Sequence, residues 1–199
     1  MVRTLIGGLA GGLVIFIMGF IFWASPLGAI PFSTSGDPQA AAVQTSLAQN
    51  LTPHGSGTYL IPDPRTREGA NLYTRGPVAT VSFNTAGYSP EDMSSLLPGL
   101  VLAAISGLLI AFGLAAVGGG RPFGDMARLV VLFTVGFTAW ECLTNPIFMH
   151  ADWRYWIYSF FAETVSFILA GLVIARWFMP AAHAAPYHEA PAVEASEPV

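Results

Sequence analysis

Glu141 and Glu163 are the residues of this chain best placed to do chemistry, because each interrupts an otherwise apolar run. Ionisable groups in hydrocarbon are costly enough that they mark functional sites by default. Two carboxyls held together there can share a proton, relay it, or hold a cation. At helical spacing Glu141 shares a face with Thr134, Thr138 and Asn145, and Glu163 shares one with Ser159 and Ser166. The connection from Met149 to Tyr155 is short, so the two runs are expected to be antiparallel neighbours. Each glutamate lies seven residues from the connected ends, roughly 10 Å along a helix, so the polar stripes are expected to meet at one depth. Two ionised carboxylates would repel each other and lose hydration. At least one is therefore expected to carry a proton, with Thr138, Asn145, Ser159 and Ser166 as hydrogen-bond partners.

The elements that must position this pair are apolar. Of 199 residues 53% are hydrophobic and only 10% charged, a composition that indicates a polytopic membrane protein. Four stretches reach the roughly 20 residues needed to cross a bilayer: Leu5–Ala24, Leu96–Val117, Leu129–Phe148 and Trp156–Phe178. The first is expected to be an uncleaved anchor, since it ends in Phe22-Trp23 and Pro26 follows where a small-residue cleavage site would belong. Arg3, Arg121, Arg128 and Arg176 flank the spans on one side and Arg154 alone on the other. Charges beside span ends set orientation, so both termini are expected to be cytoplasmic. The predicted fold class is membrane all-α, a four-transmembrane-helix bundle with a small α+β extracytoplasmic segment. By residue number the organisation is 1–24 for the first helix, 25–95 for a periplasmic segment, 96–178 for helices two to four, and 179–199 for a disordered cytoplasmic tail.

Within the outer segment Asp37-Pro38 reads as a helix start before Gln39–Asn50. Thr58–Ile61 and Val78–Phe83 read as two short strands, and the charged stretch from Asp63 to Arg75 between them as an exposed loop. One helix and a ribbon make a poor core alone, so this segment is expected to pack on the outer ends of the membrane helices. Ser89-Pro90-Glu91-Asp92 is a further cap, which starts the second membrane helix a turn or more before the bilayer. Pro98 is expected to bend that helix and Pro146 to end the third.

Gly7, Gly8, Gly11 and Gly12 form overlapping small-xxx-small pairs in the first helix, which serve close packing against another span or against a second copy. The single cysteine, Cys142, permits no internal disulfide and no thiol–disulfide chemistry. No basic patch suited to a phosphate backbone is present, so no nucleic-acid partner is expected. Neither a metal site nor a cofactor is expected. His150 with Asp152, and His183 and His188 with Glu189, are weak ligand sets, and His54 reads as a solvated loop residue.

The chain resembles a family of uncharacterised small bacterial inner-membrane proteins. The resemblance is carried by Leu5–Gly8 through Gly19–Trp23, by Gly57–Pro62 with Gly76-Pro77, and by Leu169–Ala175. It implies four spans, an outer segment after the first, and an acidic residue at Glu163. It implies no activity. The resulting expectation is a non-enzymatic integral inner-membrane protein, an accessory, assembly or partner-binding component. Its partners would be the lipid bilayer and a larger membrane complex or homo-oligomer. The alternative is a small oligomeric proton- or cation-coupled transporter or channel subunit using Glu141 and Glu163.

Overall fold

A computed structural model describes residues 1–179 except 90 and 119. The tail from residue 180, with His183, His188 and Glu189, lies outside the described residues, as does Pro90 of the expected cap. The chain divides into two compact units. One comprises Met1–Phe32 and the chain from Ser95, and the other Ser33–Ser94.

The first unit holds four helices long and apolar enough to cross a membrane. Helix α1 (Val2–Gly19) continues through a π-helical turn, Phe20–Ala24. The other three are α4 (Leu96–Val117), α5 (Phe123–Phe148) and α6 (Trp153–Trp177). They pack in the order α4–α1–α6–α5, with a lighter contact of α4 on α6. Glycine makes this order possible. Gly7, Gly8, Gly11 and Gly12 are all buried. A Cβ on Gly12 would lie 2.6 Å from the Ala103 carbonyl oxygen and 2.7 Å from the Ala104 Cα of α4. A Cβ on Gly11 would instead meet Ile174 of α6 at 2.5 Å. Gly107 answers from α4, where a Cβ would strike the backbone of Gly8 and Gly12. Both small-xxx-small pairs are therefore used within the chain.

Polar bonds fasten both ends of the α1–α6 pair. The Arg3 guanidinium donates to the Trp177 carbonyl oxygen at 2.9 Å, a cation on the carbonyls at a helix C-terminus. At the other end the Tyr158 hydroxyl donates to the Phe22 carbonyl at 2.6 Å, in the turn where the helical ladder is changing. Trp23 packs beside it on Tyr155 and Tyr158.

Several helix limits differ from the sequence reading. Helix α5 starts at Phe123 rather than residue 129, because Asp125 favours its first turn and Met126 is buried. Asp152 caps α6, its carboxylate accepting from the Arg154 and Tyr155 N–H groups, so that helix starts at Trp153. Pro146 does not end α5, which runs on to Phe148. Pro98 occupies the first turn of α4, where its missing N–H has no intrahelical acceptor to lose, so it gives no reason for a bend. Helix α4 begins at Leu96 and not upstream, since the Asp92 carboxylate accepts from the Ser94 N–H in a local turn. Residues 25–32 belong with the helices rather than with the outer segment, for Phe32 packs on Tyr155 at 5.5 Å between ring centroids. Met179, placed in the tail by sequence, is buried beside Ala111, Leu114 and Ile174.

The second unit contains α2 (Asp37–Leu51), β1 (Gly57–Ile61), α3 (Arg67–Arg75) and β2 (Ala79–Phe83). The strands pair antiparallel, from Gly57 opposite Phe83 to Ile61 opposite Ala79. Gly36, not Asp37, is the N-cap of α2, and Asp37 stands in its first turn. The stretch between the strands is helical rather than a loop. The Thr66 hydroxyl accepts from the Gly69 N–H at 2.9 Å and caps α3. Before that cap, hydrogen bonds from the Arg65 side chain and N–H pull the Asp63 carboxyl down to about 2.

Backbone contact at Gly12 leaves no flexible atom to yield, so Gly12→Val is expected to lower stability in detergent by about 1–3 kcal/mol or more. Gly113→Ala and Gly19→Ala, with nothing within 4 Å of the added atom, are expected to be near neutral on the same melting assay.

Candidate functional site

Helices α5 and α6 meet through small and polar side chains. On α5 the buried face carries Thr138, Cys142 and Pro146 at steps of four. On α6 the residues that meet it are Glu163, Thr164 and Gly171. One hydroxyl pair crosses the seam, Thr138 Oγ1 to Thr164 Oγ1 at 2.7 Å. Thr138 also donates to the Thr134 carbonyl at 2.9 Å, which leaves Thr164 as the donor across the seam. One turn further along α5 the Cys142 thiol faces Glu163 Oε2 at 3.6 Å.

The two glutamates differ in environment. Glu163 is half-buried in the seam, whereas Glu141 is exposed. No hydrogen bond joins them among the described residues. The partner of Glu163 is Cys142, one residue and about 100° around the helix from Glu141. The expected supporting residues turn inward on their own helices. Ser159 donates to the Tyr155 carbonyl at 3.0 Å, Ser166 to Ala162 at 2.6 Å, and the Asn145 amide to Glu141 at 2.9 Å. Such back-bonding satisfies a hydroxyl without contributing to a shared site. The facing-carboxylate arrangement is thus replaced by a Thr138–Thr164 and Cys142–Glu163 seam. Thr164 and Cys142 were missed by the sequence reading, and the available signal was the step-of-four series Thr134, Thr138, Cys142. Asp152, half of a weak ligand pair with His150, spends its carboxylate on the α6 cap.

Between α4 and α5 the bundle is open. A groove of about 640 Å³ runs there, with Phe167 and Gly171 of α6 as its floor. Its walls are apolar, Leu109, Ile110 and Val117 facing Leu129, Phe133 and Phe137, with Ser106, Thr134 and Thr138 as the polar points. Glu141 follows Phe137 and Thr138 by four and three residues, so it continues this wall of α5 one turn beyond the groove's end.

Chemically, this arrangement offers an apolar slot with an exposed carboxyl about one turn beyond one end, and a second carboxyl engaged in helix packing. No protein-family model, curated protein or solved structure matches the chain.

A double-mutant cycle on Thr138→Val and Thr164→Val is expected to give a coupling of about 0.6 kcal/mol, the usual size of such a bond between apolar helices. Unfolding in mixed micelles measures it. Additive losses would place the hydroxyl pair outside the packing of α5 on α6.

Proposed function

We propose that the chain is a multi-pass integral membrane protein that acts without catalysis, as an accessory or partner-binding component. The observation that carries this reading is the outer surface of the bundle. Leu9, Leu13, Leu102, Leu109, Phe133 and Trp140 stand exposed on three of its four helices. Soluble monomers rarely expose contiguous apolar patches beyond a few hundred Å², whereas a bilayer covers such a surface at no cost. The end-to-end pairing of α1 with α6 supports the same reading, since it gathers Arg3 and Arg176 at one end. With Arg121 and Arg128 these favour cytoplasmic termini and a second unit outside. The bacterial inner membrane is the setting that the resemblance implies.

The accessory role is favoured over transport by where the polar groups go. The hydroxyls and amide bonded in the apolar helices go to their own backbone, across the α5–α6 seam or, at Tyr158, to the end of the first helix. A half-buried Glu163 fixed beside Cys142 suits helix packing better than a relay to an exposed Glu141.

The protein is expected to stay in the membrane pellet after alkaline carbonate extraction. A reporter active only outside the cytoplasm is expected to signal when fused after Gly87 and to be silent after Met179. In sealed vesicles the purified protein is expected to add no proton flux above empty vesicles. A flux abolished by both Glu141→Gln and Glu163→Gln, with melting temperature unchanged, would replace the accessory reading by the transport one.

A further inference from the structure

We infer that the α4–α5 groove is the docking site for a membrane helix of a partner protein that carries a basic side chain opposite Glu141. This rests on the membrane reading above and adds the surface and the chemistry of the partner. The groove extends from Ser106 to Val117 along α4, about 16 Å or three turns. That is the reach of a helix anchoring large apolar side chains at i, i+4 and i+7. Gly113 lines it with nothing within 4 Å of an added Cβ, which leaves a recess for one such side chain.

Charge selects among the occupants. Glu141 is exposed on an α5 face otherwise bearing Phe133, Phe137 and Trp140, and an ionisable group in a span pairs or faces a bundle interior. A lipid tail in the groove would leave it unpaired. A second copy of this chain offers no cation at that depth in its helices, since there is no lysine and Arg3, Arg121, Arg154 and Arg176 lie at or beyond helix ends. Arg128 stands 13 residues or about 20 Å along α5 from Glu141, and Arg65, Arg67 and Arg75 belong to the second unit. A lysine or arginine on a foreign helix, about one turn past its apolar anchors, meets both requirements at once.

The test is site-specific photo-crosslinking of the full-length protein in its native membranes. The probe amino acid stands at Leu109 or Phe133 in the groove, and at Leu13 or Ile157 as exposed controls on α1 and α6. Adducts are expected from the groove positions only. Their peptides are expected to come from a transmembrane segment of a different protein with a lysine or arginine inside it. Glu141→Gln is expected to lower the yield about threefold or more, the worth of a polar pair in hydrocarbon. Gly113→Leu, whose Cβ meets nothing within 4 Å and whose side chain occupies the recess, is expected to do the same. Adducts to this chain's own peptides, adducts to lipid alone, or yields unchanged in both variants would each overturn the inference. Release of the protein by alkaline carbonate would be a different failure, that of the membrane reading.

Discussion

Backbone-to-backbone approach at α1 is the constraint on which the rest of the bundle depends. In the bilayer proposed for these helices there is no hydrophobic gain from leaving lipid for protein, so dispersion at close range would have to hold them together. Gly8 and Gly12 admit α4 on one side of α1, and Gly7 and Gly11 admit α6 on the other. With α4 and α6 both seated on α1, α5 has only α6 left as a close neighbour. The opening between α4 and α5 follows from that geometry. It is where two flanking helices fail to meet because a third separates them.

The α5–α6 seam repeats the solution with other residues. Val130 fits against Gly171, where a Cβ would come within 2.6 Å of it, and Thr138 with Thr164 and Cys142 with Glu163 fill the next positions. Both hydroxyls shown in this seam find an acceptor, Thr138 four residues back and Thr164 across on Thr138. The seam is close because its side chains are small, and it tolerates polar atoms because they are paired. Glu163 enters it on the same terms, half-buried beside the Cys142 thiol.

The long apolar helices were legible in the sequence because hydropathy needs only composition over about 20 residues. The strands were legible for a similar local reason, the β-branched and aromatic runs Thr58–Ile61 and Val78–Phe83. Their ends were less so. Hydropathy marks where a helix becomes apolar, and α5 starts six residues before that, through Gly124, Asp125 and Arg128. Helix α3 was hidden by its charges, although its cap, Thr66, was visible three residues before Gly69. What periodicity could not supply was rotation. A polar stripe shows which residues share a face, but the face that meets a neighbour is decided by which side packs more closely. On α5 that side is Thr138 and Cys142.

Rotation is also what changes the meaning of Glu141. In a facing pair it would be glue, satisfied within the chain and silent to the outside. Turned away from α6 by one residue's worth of helix, it stands about one turn beyond the opening between α4 and α5. A stability role would place the carboxyl where Cys142 is, in contact with α6 and out of reach of any other chain. At its actual position the group contributes nothing visible to the packing of the four helices, while an unsatisfied carboxyl there disfavours burial in hydrocarbon. A residue left unsatisfied among the described residues acquires a reason to be there when something outside the chain satisfies it. The same rotation of about 100° that removes Glu141 from the fold therefore makes it available for recognition.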